Sequence, residues 1–223
     1  MRNGAILLFA MFLSVAAAWS QCQVIDDFTT GKVRASLRTP NTSSTDIKMG
    51  SMLGGIRETV FLIGANQFLQ PAEMDIDKGG PLVVTTGVRQ SFRLDVQYGV
   101  DQNGVFDPLG YYPSGCDRFR VTFDSASLVL NFNILVFQGP LNPYFQDGLN
   151  LDPIPFAGNP FCVDFLFSNF TNPLMVTQDF AGQGINGIDF IFQTGSVIGA
   201  NDFAITKFET TTGDAGCVVA PPL

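Results

Sequence analysis

The side chains in this chain that can do chemistry are carboxylates, tyrosines, four cysteines and an arginine set in an apolar run, because its 223 residues include no histidine. That absence removes the usual neutral-pH general base and the commonest transition-metal ligand. It also excludes nucleophilic triads built on histidine. Two carboxylates flanking a sugar bond suffice for glycoside cleavage, so the many aspartates admit a glycoside-active enzyme. None of them sits in a recognisable catalytic motif, and acids on alternating strand positions are ordinary solvated surface. The expectation is therefore a non-catalytic protein. Asp101-Gln102-Asn103-Gly104-Val105-Phe106-Asp107 spaces oxygen ligands as a hard cation would need them, but lacks the further acids and the late glutamate of a calcium loop. It reads better as a hairpin turn after Tyr98-Gly99. Tyr111, Tyr112 and Tyr144, in Pro- and Gly-rich segments, are the aromatic platforms on offer to a sugar or peptide, and their hydroxyls also suit loop anchors. Arg57 is either a ligand-facing base or, if buried, the partner of a carboxylate.

Location follows from residues 1–20. Arg2 is a positive start, Ala5 to Ala18 are apolar but too few to span a bilayer, and Ala18-Trp19-Ser20 offers a small-residue cleavage site. The expectation is a cleaved signal peptide, a mature chain from about Gln21 without a transmembrane segment, and a secreted or cell-surface location. Trp19 is the only tryptophan, so the mature chain has none. In an exported chain Cys22, Cys116, Cys162 and Cys217 are expected to be oxidised rather than metallated. Four cysteines allow three pairings. If the termini run side by side, Cys22–Cys217 with Cys116–Cys162 is the natural choice. From Val121 onward Lys207 is the only base against nine acids, within a net charge of −8. A field of that sign repels phosphate backbones and excludes nucleic acid as a partner. A glycan or an extracellular protein remains.

These groups must be positioned by strands. Period-two alternation recurs along the chain and no helix of ten residues is evident. In Ser91–Tyr98, Phe92, Leu94, Val96 and Tyr98 face one way and Arg93, Asp95 and Gln97 the other. Asp117–Asp124, Ser127–Phe137, Phe161–Phe167, Gly187–Gln193 and Asp202–Glu209 follow. Gln23–Phe28, Lys32–Leu37, Ile56–Ile63, Ala72–Asp77 and Leu82–Thr86 are earlier strands. Twenty of the 22 phenylalanines follow residue 20, mostly on the inward phase, and predict a sandwich core. Pro140–Pro160 holds five prolines and little periodicity, and reads as a packed or functional loop. About 200 residues make one large all-β domain, 21–223. Asn41-Thr42-Ser43 and Asn169-Phe170-Thr171 fit the N-glycosylation pattern, which has meaning only in a source with that machinery.

Val24-Ile25-Asp26-Asp27-Phe28, Gly54-Gly55-Ile56-Arg57-Glu58, and the late series Val163–Phe170, Gly187–Phe192 and Asp202–Ile205 resemble galactose-binding-like jelly rolls, common in exported proteins as carbohydrate-binding modules. The resemblance implies an antiparallel β-sandwich with its first and last strands adjacent, and a structural calcium held partly by Asp26 or Asp27 with Asp202. Adjacent strand residues point to opposite faces, so only one of Asp26 and Asp27 can coordinate by its side chain. The sequence departs from the resemblance in lacking a tryptophan platform, which leaves the loop tyrosines to hold a sugar. The expected function is an exported binding or adhesion module with carbohydrate as ligand. The alternatives are a structural component of an extracellular layer or matrix and, behind it, the glycosidase using two aspartates.

Overall fold

Alternating apolar residues need a second sheet to bury them, and the chain provides one. A computed structural model describes residues 21–77, 79–127, 130–138, 143–151, 160–171, 178–194 and 199–213, with residues 143–151 as backbone. Residues 1–20, expected to be a signal peptide, and Cys217 lie outside the described residues. Among the described residues thirteen strands form two antiparallel sheets: β1 (Val24–Asp26), β2 (Val33–Leu37), β3 (Thr42–Met49), β4 (Ile56–Asn66), β5 (Ala72–Ile76), β6 (Leu82–Thr85), β7 (Gln90–Tyr98), β8 (Arg118–Ala126), β9 (Leu130–Phe137), β10 (Pro143–Leu151), β11 (Phe161–Leu166), β12 (Gly187–Gln193) and β13 (Asp202–Thr211). One sheet runs β11-β8-β13-β6-β5-β2 with β1 also on β13; the other runs β10-β9-β12-β7-β4-β3. The fold is an all-β sandwich of jelly-roll type.

The inward phases meet as an aromatic core. Phe190 of one sheet stacks on Phe208 of the other at 4.0 Å, Phe132 on Phe192 at 4.3 Å, and Phe123 on Phe161 at 4.9 Å. Most of the phenylalanines on the strands are fully buried. At about 1.5–3 kcal/mol for each buried large apolar side chain, this layer is the main favourable term in folding.

Two strands were not expected. Pro143–Leu151, in the supposed loop, pairs with β9 from Pro143 opposite Phe137 to Leu151 opposite Leu130. Its proline stands at the first position of an edge strand, where no ladder donor is required. Thr42–Met49 pairs with β4 at the opposite edge. It is polar on both faces because an edge strand buries little, so it carries no alternation to read.

A buried ion pair joins the sheets. Arg57 on β4 donates from Nη1 to Asp26 Oδ2 at 2.6 Å, with both side chains essentially inaccessible. Its Nη2 donates to the carbonyls of Thr30 (3.2 Å) and Gly31, and the guanidinium lies over the Phe28 ring at 5.4 Å. Tyr98 Oη donates to Asp26 Oδ2 at 2.8 Å, and the Phe28 amide donates to Oδ1 at 2.7 Å. Arg57 is thus the structural partner of a carboxylate. The surrounding charge and burial push the Tyr98 hydroxyl well above its ordinary value, burial acting most strongly.

The disulfide pairing is corrected. β1 does lie along β13, yet Cys22 bonds Cys116, with Cα atoms 5.5 Å apart and a sequence separation of 94. The reason is that β13 ends between two neighbours. Thr210 donates its amide to the Gln23 carbonyl on one side, and Asp117 donates to the Thr211 carbonyl on the other. The cysteines just before β1 and β8 therefore meet across that end. Cys162 on β11 is disulfide-bonded as well.

Peptide mapping of the non-reduced protein is expected to recover Cys22 linked to Cys116. Its removal by Cys22→Ala/Cys116→Ala should lower stability by about 4–5 kcal/mol in the loop-entropy model. Recovery of Cys22 joined to any other cysteine would refute the arrangement. For the ion pair, Arg57→Met leaves Asp26 charged and buried, and urea unfolding should show a loss of about 3–5 kcal/mol. The double variant Arg57→Met/Asp26→Leu should recover part of it. A double variant no better than the single one would mean that the carboxylate is not the source of the cost.

Candidate functional site

The outward faces of the two sheets differ in how their polar groups are used. On the first sheet, Arg120 grips Asp164 through Nε and Nη2, both at 2.7 Å, and Arg118 Nη1 adds a third bond at 2.9 Å. Those charges are spent on one another.

The second sheet presents a grid of amides and carboxyls. Register places Glu58, Gln97, Asp189 and Leu135 in one row across β4, β7, β12 and β9; Val60, Asp95, Ile191 and Asn133 in the next; and Leu62, Arg93, Gln193 and Asn131 in the third. Arg93 Nε donates to both oxygens of Asp95, at 2.7 and 3.0 Å. Asn131 Oδ1 accepts from Asn133 Nδ2 and Gln193 Nε2, each at 3.0 Å. Each residue is outward because its neighbours Phe92, Leu94, Val96, Phe132, Ile134, Phe190 and Phe192 take the core phase.

Asp189 is the exceptional member. It is 8% exposed although it faces outward. Its Oδ2 accepts from Gln97 Nε2 at 3.3 Å, and its Oδ1 has no hydrogen-bond partner. Burial, and then the nearby charge of Asp95, push its carboxyl up to about 8. Burial also raises Glu58. At neutral pH Asp189 therefore carries a proton and offers an O–H donor beside an acceptor. With Arg93 and Asp95 cancelling, the centre of the face is close to neutral and rich in groups that both give and take hydrogen bonds. A cavity of about 210 Å³ opens at one end of the face, beside Gln97 and Asp189, with the half-buried rings of Phe106 and Phe137 as walls.

The residues singled out in the sequence lie elsewhere. Tyr111 is 3% exposed: its backbone pairs with Ile185, and its hydroxyl bonds Thr210 Oγ1 and the Gln21 carbonyl. It is an anchor, and the platform reading is corrected for it. Burial raises its hydroxyl above the ordinary value. Tyr112 is 44% exposed, its ring seated over Gly184, three residues before the start of β12. Tyr144 lies on the edge strand β10, opposite Val136.

The proposed calcium ligands do not converge. Asp26 is consumed by Arg57, Tyr98 and the Phe28 amide; Asp27 accepts from the Thr29 amide and hydroxyl; Asp202 accepts from the Thr86 amide. Asp26 pairs with Phe208 and Asp202 with Thr85, so they stand six residues apart along β13. Among the described residues no cluster of three metal-binding side chains occurs. The oxygens of Asp26, Thr30 and Gly31, a set that would suit a cation, already surround the guanidinium. Asp101 Oδ1 accepts from the amides of Asn103 and Val105, which lowers its carboxyl below the ordinary range and makes the segment a turn. Asn41 and Asn169 are both exposed.

No protein-family model matches the sequence, and neither does any curated protein. Solved structures similar in chain path include a family 11 carbohydrate-binding module from Clostridium thermocellum in complex with a β-1,3-1,4-mixed-linked tetrasaccharide, at 14% identity over 86% of this chain and 96% of that one, TM-score 0.40. An agarase is similar at 10% identity over 87% of this chain and 25% of that one, TM-score 0.44. The module TmCBM61, in complex with β-1,4-galactotriose, matches at 11% identity over 79% of this chain and 91% of that one, TM-score 0.24. The chemistry of the face is read from its own residues.

Asp189 generates a stability prediction. Its unfolded carboxyl releases a proton near 3.8 and the folded one near 8, so the unfolded state binds fewer protons between these values. The stability that the protonated form contributes is full below pH 3.8 and lost as pH rises through about 8, up to about 6 kcal/mol. Asp189→Asn cannot ionise. Urea unfolding at pH 5 and pH 8.5 should show the variant gaining on the wild type as pH rises; a constant difference would exclude a buried, protonated Asp189.

Proposed function

We propose that this protein is an exported, non-catalytic module that binds neutral glycans on the outward face of the β10-β9-β12-β7-β4-β3 sheet. The observation that carries the reading is Asp189: a nine-tenths buried carboxyl with an unpartnered oxygen, set among amides beside an open cavity. A buried polar atom without a partner costs about 1–3 kcal/mol, and a ligand hydroxyl would remove that cost. Sugars need many short, bidirectional hydrogen bonds, which Gln97, Asn131, Asn133 and Gln193 supply. The near-neutral centre favours an uncharged ligand over a uronic or sulfated one.

The non-catalytic reading is supported by Asp95. Both of its oxygens are held by Arg93, so Asp95 is not free to act with its neighbour Asp189 as the two carboxylates of glycoside cleavage. The extracellular reading is supported by the Cys22–Cys116 bond, since such bonds persist in oxidising compartments, and by the signal-peptide pattern of residues 1–20. No helix among the described residues is long and apolar enough to cross a membrane.

The test is affinity electrophoresis and calorimetry against neutral oligosaccharides, including the mixed-linked tetrasaccharide and β-1,4-galactotriose, with polygalacturonate as the anionic control. Binding to at least one neutral glycan is expected. Asp189→Leu and Gln97→Ala should each weaken it about tenfold or more, from the 1–3 kcal/mol of a lost or unsatisfied bond. Binding unaffected by both variants, or abolished instead by Tyr112→Ala, would move the site off this face.

A further inference from the structure

The cavity at the end of the face is built by missing side chains. Gly99 follows the last residue of β7, Gly104 lies in the following turn, and Gly187 opens β12; all three line the space. A Cβ on Gly99 would collide with the Asn186 carbonyl. On Gly187 it would stand 3.3 Å from Phe106 Cε2 and 3.4 Å from Phe137 Cδ2, between the two rings. The turn carrying Phe106 is fixed by the Val100–Phe106 bridge and by the Asn103 and Val105 amides, which donate to Asp101 Oδ1, so it forms a wall across this side of the cavity. At about 210 Å³ the space equals about seven waters of liquid volume. That is room for one ring and lies below the ~300 Å³ at which pockets for drug-sized ligands begin.

We propose that this cavity is a chain-end pocket, which takes a single terminal sugar ring of a neutral glycan while the following residues cross the rows of Asp95, Asn133, Gln193 and Asn131. The proposal rests on the glycan-binding reading and narrows it from the interior of a polysaccharide to its end. The apolar faces of the ring pack on Phe106 and Phe137, as sugar C–H groups pack on aromatic rings. Asp189 and Gln97, which line the cavity, meet its hydroxyls with a carboxyl and an amide. Phe106 and Phe137 replace the tryptophan or tyrosine platform sought in the sequence.

The experiment is a titration of the ¹⁵N-labelled protein with glucose, galactose, mannose, xylose and N-acetylglucosamine, followed by the oligosaccharides, for the wild type and three variants. At least one monosaccharide should shift the amides of Gly99, Gly104 and Gly187 at millimolar concentration. Gly187→Ala should weaken this binding tenfold or more, and Phe106→Ala, which changes a loop wall without filling the core, should do the same. Asn133→Ala should weaken oligosaccharides and leave the monosaccharide alone. Oligosaccharides that shift Asn131, Asn133 and Gln193 while the glycine amides stay silent, and that bind Gly187→Ala as tightly as wild type, would overturn the chain-end pocket and leave the face reading standing. Silence of every resonance with every sugar would overturn both.

Discussion

The pairing of Arg57 with Asp26 sets the frame for everything outside the core. Arg57 and Tyr98 stand opposite each other on β4 and β7, and both reach inward to one carboxylate on β1. A strand that slips by one residue exchanges its faces, so two inward polar groups with a single buried partner tolerate no slip. Their outward neighbours, Glu58 and Gln97, are thereby fixed in one row with Asp189. Burying two charges is unfavourable unless they are paired and further bonded. The carbonyls of Thr30 and Gly31, the Phe28 amide and the Tyr98 hydroxyl supply those bonds. The pair is therefore best understood as a device for register, with its stabilising value secondary to that of the phenylalanine layer.

The two outward faces show how similar raw material is put to different use. Arg118, Arg120 and Asp164 close on one another, so that at the β8-β11 end of the first sheet charge meets charge. Across the sandwich Arg93 and Asp95 pair off, and the other polar positions of the three rows are four amides and the acids Glu58 and Asp189, set among Val60, Leu62, Leu135 and Ile191. Charge pairing costs a face its capacity to bond a neutral partner; amides retain donors and acceptors even when they bond each other.

Much of the fold is legible in the sequence because alternation reports burial, and the inward phases of β7, β8, β11 and β12 are strongly apolar. The need of Arg57 for a carboxylate is legible for the same reason, since a base in an apolar strand has few other options. What the sequence hides is lateral. Arg93, Asp95 and Gln97 can be seen to share a face, but nothing in the chain says that Asp189 and Asn133 lie beside them, ninety and forty residues away. One signal was present: Asp189 interrupts the otherwise apolar run Gly187-Ile188-Asp189-Phe190-Ile191-Phe192. The sequence offers loop tyrosines as platforms, while Phe106 stands in a turn and Phe137 closes an apolar strand. The space beside them depends on Gly99, Gly104 and Gly187, from the end of β7, the turn after it and the start of β12, which only the register brings together. The cysteine pairing failed on similar grounds: the adjacency of the first and last strands was right, but β8 lies on the other side of the same strand end.

A fold that places an acid where burial holds its proton to about 8 has accepted a local conflict. An asparagine at position 189 would keep the contact with Gln97 without the risk of ionisation, and a leucine would pack against Ile191 and Leu135 with no polar atom to satisfy. Rules that are broken locally without an evident gain in packing tend to mark sites that are completed by something outside the chain. The unpaired oxygen, the glycines that clear the space beside it and the two rings that wall it converge on one end of one face. Any single one of these would be an ordinary imperfection of a sandwich surface. Their coincidence is the ground for proposing a binding site there, since packing alone accounts for none of the three.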